Sequence, residues 1–328
     1  MKKIIAWTAG ILIAATVIGL IVIRRSDIQR IPSPSSCATF NTEDYRICVR
    51  TITRDLTHPW SLAFLPNGDM LVTERPGRLR LIHDGILQSR PIEGIPAVNS
   101  TEQEGLLDIA LNPRFVENQR IYFTYSKPGP MSTIALARGR FDGARLNNVE
   151  EIFVTDARSR QEGTMGGRLA FEPDGTLLMT VGERHDRTPS QDPGSHGGKI
   201  LRLRDDGTAA PDNPFVHQAG YRMEIFAMGV RNPQGLSIHP TTGVIYETEH
   251  GPMGGDELNI ILPGKNYGWP QVTYGKNYDG SVITNETSRP GLESPVHYWV
   301  PSIGPSGLAV YTGTLFPKWR DNLFVGAM

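Results

Sequence analysis

The chain has 328 residues, and its 33 Lys and Arg against 34 Asp and Glu leave a formal charge of −1, which excludes the basic stripe expected of a nucleic-acid binder. Hydrophobic residues at 39% and charged residues at 20% exclude a disordered chain. The 35 Gly and 25 Pro make about 18% of the sequence, above the roughly 12% of average usage, and favour many short strands over long helices.

The first element is an apolar run. Lys2 and Lys3 precede Ile4 to Ile23, which carries no charge and is closed by Arg24 and Arg25. About 20 apolar residues in a helix can span a bilayer. A secretory signal has a shorter apolar region and a small-residue cleavage site, and no such site precedes Arg24. The run predicts an N-terminal transmembrane helix over residues 1–25, an uncleaved anchor in preference to the alternative of a cleaved signal that releases the exported domain. Basic residues on both sides leave its orientation open. Residues 26–40 read as a linker, polar and Pro-containing at SDIQRIPSPSS. Cys37 and Cys48 are the only cysteines. They can pair in an oxidising compartment, although spacing alone equally allows two free thiols. No zinc-type spacing is present. The order predicts an anchor, a tether and an exported globular domain over residues 41–328.

A strand-turn-strand unit then recurs. It reads WSLAFLPNGDMLVTE at 60–74, LLDIALNPRFVENQRIYFT at 106–124, RLAFEPDGTLLMTVGE at 168–183 and GLSIHPTTGVIYET at 235–248. A fifth copy starts at Leu308. Asn67-Gly68 and Asp174-Gly175 are hairpin signals, because such pairs tolerate positive φ. Multi-strand repeats of this length predict an all-β propeller with five to six blades, its last blade incomplete at Met328. A β-sandwich would not produce four similar hairpins.

Three loops are dense in Gly and polar groups. They are Glu162–Arg168, then Gly182–Arg187 with Gln191–Lys199, then Gly229–Gly235 with Glu247–Asn259. They flank the repeat strands at equivalent positions and are expected to gather at one end of the propeller. Neither a phosphate-binding loop nor an EF-hand loop is present, and the Gly patterns lack a βαβ setting.

The motifs HPWSLAFLPNG (58–68), QEGLLDIALNP (103–113), GGRLAF (166–171), QDPGSHGGKILRL (191–203), GVRNPQGL (229–236), EHGPMGGDELN (249–259), NYGWP (266–270) and PSGLAVYTG (305–313) carry a resemblance. From about His58 to Met328 the sequence resembles the quinoprotein glucose and aldose sugar dehydrogenases, the glucose/sorbosone dehydrogenase family. The resemblance implies a six-bladed propeller that binds pyrroloquinoline quinone and calcium and oxidises aldoses at C1 to the lactone. By the same resemblance, Gln103 and the pair Arg231–Asn232 contact the quinone. An arginine suits a developing oxyanion because its charge is fixed. The backbone carbonyls of Gly251 and Pro252 match those that hold the cofactor calcium, an ion that prefers oxygen ligands. Glu257 and Tyr267 match a second, structural calcium site, although Glu257 alone also reads as a solvated turn carboxylate. Trp299 resembles the aromatic lining the cofactor face, and equally reads as a core tryptophan.

Two departures stand out. The family places its general base, a His, four residues before the Arg of Gly-Gly-Arg. Here Arg168 is that Arg and Thr164 holds the position of the base. A threonine hydroxyl accepts no proton usefully near neutral pH. Glu183 matches the carboxylate that orients the missing His, and His185, at a position the family gives to Gly, is a possible relocated base or a surface loop histidine. The Lys and Arg that the family carries in its last blade have no counterpart up to Met328.

Two readings follow. One is a periplasmic sugar dehydrogenase, held to the bacterial inner membrane by its N-terminal helix, that passes electrons from an aldose to an external or membrane acceptor. The other is a non-catalytic, calcium-binding propeller acting as an interaction module. A calcium-dependent lactonase is weaker, because no set of inward carboxylates is apparent in the sequence.

Overall fold

The computed structural model describes residues 37–328, and the apolar run Ile4–Ile23 lies outside them. No helix among the described residues is long and apolar enough to cross a membrane. The chain divides into two compact units at Thr51/Ile52.

The first unit is described from Cys37. It holds a hairpin of β1 (Ala38–Asn41) and β2 (Arg46–Val49), antiparallel with Thr39 opposite Cys48. Cys37 and Cys48 form a disulfide with Cα atoms 5.5 Å apart, one of the two alternatives the spacing allowed.

The second unit is built from antiparallel sheets in strict chain order. The first contains β3 (Pro59–Phe64), β4 (Met70–Glu74), β5 (Arg78–His83) and β6 (Ile86–Leu87). The second contains β7 (Leu106–Leu111), β8 (Arg120–Lys127), β9 (Thr133–Phe141) and β10 (Leu146–Val154). The third contains β11 (Gly166–Phe171), β12 (Leu177–Val181), β13 (Lys199–Leu203) and β14 (Ile225–Met228). The fourth contains β15 (Pro233–Ile238), β16 (Ile245–Glu249), β17 (Asp256–Ile261) and β18 (His297–Trp299). A fifth sheet has two strands, β19 (Pro305–Val310) and β20 (Leu323–Ala327).

Each repeat of the sequence is therefore the first two strands of a blade. The turns close as their residues require: Gly68 sits at φ 91° and donates to the Leu65 carbonyl at 2.9 Å, a conformation that costs glycine little. The first strands pack on one another in succession, β3 on β7, β7 on β11, β11 on β15 and β15 on β19, which is the propeller arrangement with those strands innermost. The five to six blades expected, with the last incomplete, are represented by five among the described residues. The described residues hold four complete four-stranded blades and a two-stranded fifth, because only the inner hairpin of the Leu308 copy is formed.

Blade faces bury apolar side chains against their neighbours. Leu107, Tyr122 and Ile134 of the second blade meet Leu177, Met179 and Leu201 of the third. Truncating a fully buried leucine such as Leu177 to Ala costs about 2–5 kcal/mol. All five inner pairs also break register near the start of the inner strand, for example between Gly166 and Leu169 and between Pro233 and Gly235. Such bulges re-aim side chains at the rims of sheets. The inner strand enters and the second strand leaves at this same end, so the loops preceding β7, β11 and β15 and those following β12 and β16 gather there.

Candidate functional site

A cavity of about 920 Å³ runs along the inner strands, with Trp60, Gln103, Asp108, Arg168, Asn232 and His250 on its wall. Arg231 and Asn232 enter this region from the loop before β15. Arg231 is buried, and its Nη1 donates to the carbonyls of His250 at 2.9 Å and Gly251 at 2.8 Å. Its Nε lies 3.3 Å from Glu183 Oε1 without hydrogen-bond geometry. Glu183 Oε2 accepts the indole N–H of Trp269 at 2.6 Å, and the Trp269 ring lies 5.5 Å from the guanidinium. Burial holds the Glu183 carboxyl above the usual carboxylate range, although Arg231 and Trp269 favour its charged form. Asn232 Oδ1 accepts the Gly166 N–H at 3.2 Å and the Gln234 amide at 3.0 Å. These bonds join the third and fourth blades at the rim.

The two positions discussed as bases lie side by side. The Thr164 hydroxyl is buried and accepts the His185 backbone N–H at 2.9 Å. His185 is exposed, and its Nε2 lies 2.6 Å from the Glu162 carbonyl. A carbonyl only accepts, so Nε2 carries the proton and the neutral ring keeps its lone pair on Nδ1. Gln103 lies near by: a Cβ built on Gly163 would come 2.9 Å from Gln103 Oε1 and 3.1 Å from His185 Nε2. His250 is an imidazole that sequence reading passed over. It lies on the cavity wall, gives Nε2–H to the Pro305 carbonyl at 2.6 Å, and is held neutral by burial.

The expected metal ligands are arranged differently from their sequence grouping. The carbonyls of His250 and Gly251 converge on Arg231, while the Pro252 carbonyl accepts Ser302 Oγ at 3.4 Å. The Tyr267 hydroxyl is occupied by backbone: it donates to the Ile260 carbonyl at 2.6 Å and accepts the Leu262 N–H at 2.9 Å. Glu257 instead faces Glu249 across the β16–β17 ladder, next to the pair Glu247 and Asn259. Residues two apart share a face of a strand, so three carboxylates and one amide meet on one face. Glu247, Glu249 and Asn259 are buried, and Glu247 Oε1 and Asn259 Oδ1 have no hydrogen-bond partner. Burial, reinforced by mutual repulsion, raises the carboxyls of Glu247 and Glu257 well above the ordinary range, and burial pushes Glu249 up to about 7. No such grouping of carboxylates stood out in the sequence. The alternation Glu247-Thr248-Glu249 in a strand was its signal. Trp299 lies on β18, the outermost strand of its blade, opposite Asp256 and edge-on to His297. It is not part of the cavity wall.

Residues 56–328 match the family model described as Glucose / Sorbosone dehydrogenase. The chain is 40% identical over 287 residues to the aldose sugar dehydrogenase YliI of Escherichia coli, covering 85% of this chain and 77% of that protein. Among solved structures, a glucose dehydrogenase superposes with a TM-score of 0.82 at 46% identity, covering 85% of this chain and 82% of the other. The PQQ-bound form of the aldose sugar dehydrogenase of Streptomyces coelicolor superposes with a TM-score of 0.69 at 31% identity, covering 85% and 77%.

Proposed function

The chain belongs to the glucose/sorbosone dehydrogenase family, and from that premise we propose that it oxidises an aldose at C1 to the lactone using pyrroloquinoline quinone and calcium. The observation that carries this reading is the meeting of Gln103, Arg231, Asn232 and the carbonyls of residues 250 and 251 around one end of the axial cavity.

The residues present fit the groups. Two backbone carbonyls already converge on a cation, the Arg231 guanidinium, and hard calcium takes carbonyl and carboxylate oxygens. The buried Glu247, Glu249 and Asn259, with the half-buried Glu257 beside them, hold oxygens without partners, which fits a second such ion, with Glu257 in the role expected of it and Tyr267 through its backbone. Bound at the cavity, pyrroloquinoline quinone would supply the two-electron oxidant, with calcium as Lewis acid. Gln103 and Asn232 would orient it by their amides. Arg231, backed by Glu183 and Trp269, would present a fixed positive charge where negative charge develops.

The proton of the sugar hydroxyl needs an acceptor. Thr164 cannot serve, so the lone pair falls to an imidazole: His185 through Nδ1, or His250 on the cavity wall. We infer weak turnover in consequence. The disulfide Cys37–Cys48 supports an exported, periplasmic domain, anchored through residues 1–25 and passing electrons to an external or membrane acceptor.

The second reading, a non-catalytic calcium-binding propeller, draws on the same threonine. Aldose-dependent dye reduction by the quinone- and calcium-loaded protein separates the two. Slow oxidation, accelerated about 10²–10⁴-fold by Thr164→His and abolished by His185→Ala or His250→Ala, supports the enzyme. Quinone-free protein that binds calcium and no cofactor supports the interaction module.

A further inference from the structure

We propose that Glu104 and Arg184 are positioning residues, a buried ion pair that holds three loops of the candidate site in register; the inference rests on the functional reading above. The two lie 80 positions apart, with side chains 0% and 2% exposed and Arg184 Nη2 2.6 Å from Glu104 Oε1. Neither belongs to the residues expected to touch cofactor or metal. Each is the chain neighbour of candidate site residues: Glu104 follows Gln103, and Arg184 stands between Glu183 and His185.

The bonds use both carboxylate oxygens and both terminal guanidinium nitrogens of the pair, and only the buried Arg184 Nε has no partner. Glu104 Oε1 also accepts Ser132 Oγ at 2.6 Å, and Oε2 accepts Ser126 Oγ at 2.7 Å and Asn99 Nδ2 at 2.5 Å. Arg184 Nη2 also reaches Ser132 Oγ at 2.8 Å, and its Nη1 donates to the Gly163 carbonyl. One guanidinium thus ties the loop of Gln103, the loop of Gly163 and Thr164, and the loop of Glu183 and His185. Gly163 itself, at φ 103°, sits between Gln103 and His185 so closely that a side chain there would meet both.

Backbone strain points the same way. Glu102, Thr164, Arg184 and His185 all adopt left-handed φ, at 44°, 41°, 62° and 63°. Such residues persist only where surrounding contacts over-determine them, and they gather at functional sites. A buried ion pair is weak evidence for stability, since apolar residues of similar volume often do as well. What apolar residues cannot do is aim directional donors at one carbonyl and one carboxylate on different loops.

The test uses the full chain, with Arg184→Lys as the principal variant. A lysine keeps the charge and the stem but lacks the fork, so it cannot hold Glu104 and Gly163 together. Three readouts apply: melting temperature, the dissociation constant for pyrroloquinoline quinone in calcium, and amide hydrogen exchange without quinone. The expected result is a small change in melting temperature, quinone binding weakened about tenfold or more for the lost directional contacts, and faster exchange in residues 102–105, 162–165 and 183–185 together. Ser132→Ala, which touches both partners and leaves the pair intact, is expected to shift affinity in the same direction by less. Unchanged quinone affinity in a folded Arg184→Lys, or faster exchange confined to residues 183–185, would overturn the inference while leaving the functional reading intact. Absence of quinone binding by the unmodified chain would overturn both.

Discussion

Two clusters of buried charge flank the candidate site, and they are finished in opposite ways. Around Glu104 and Arg184, both carboxylate oxygens have partners, and charge is matched by charge. On the β16–β17 face, Glu247, Glu249 and Glu257 stand together; the Asn259 amide lies between Glu247 and Glu257, and Glu249 accepts the Arg231 backbone N–H. Like charges opposite each other in a ladder destabilise it, and buried oxygens without partners cost the desolvation they have lost. The contrast separates two uses of burial. The first cluster has its carboxylate fully partnered within the chain, although Arg184 Nε is left without a partner, and its proposed role is to fix geometry. The second leaves Glu247 Oε1 and Asn259 Oδ1 without partners, and under the proposed function a cation would complete it.

The largest effect expected is on the complete cluster. Arg184→Met leaves the Glu104 carboxylate buried and unpaired, so chemical denaturation should show a loss of about 3–5 kcal/mol. A loss under about 1 kcal/mol would mean that the pair is not closed as described. For the incomplete cluster, calcium at a hundredfold excess over its dissociation constant should stabilise the protein by about 2.7 kcal/mol, and Glu257→Gln should remove much of that gain. Melting curves with calcium and with chelator that coincide would equate the two clusters after all.

A subtler difference is in pH dependence. The raised carboxyls of Glu247, Glu249 and Glu257 hold protons in the folded state that the unfolded chain releases above about 4.5. Their contribution is therefore fully present below pH 4.5 and lost as pH rises through about 7. Chelated protein should lose stability across that window, and calcium should flatten the profile because its binding expels the protons. Glu249→Gln should flatten the chelated profile as well. The smallest effect concerns the imidazoles: His185→Ala should leave the unfolding free energy from chemical denaturation within about 0.5 kcal/mol of the parent, as expected of an exposed side chain.

The comparison also marks where sequence reading succeeds. The hairpins were legible because their turns carry local chemistry, as at Asn67-Gly68, and because strand alternation is a short-range signal. The gathering of site loops at one end followed from where those hairpins enter and leave. Glu104 and Arg184 were not legible, since their partnership spans 80 residues and each looks like an ordinary loop charge. Glu247 and Glu249 were nearly legible: alternate carboxylates in a strand share a face, but nothing local says that the face is buried. The partners of the Tyr267 hydroxyl, the backbone of Ile260 and Leu262, were not legible either, since no motif announces them.

The central claim is that the rim around Arg231 is a quinone site completed by calcium. Calorimetric titration of the full chain with pyrroloquinoline quinone, in calcium and in chelator, tests it most directly. The account predicts saturable binding in calcium, binding weakened at least about tenfold in chelator, and loss of binding in Arg231→Leu. Binding that is absent in calcium, or that proceeds equally in chelator and in Arg231→Leu, would contradict it.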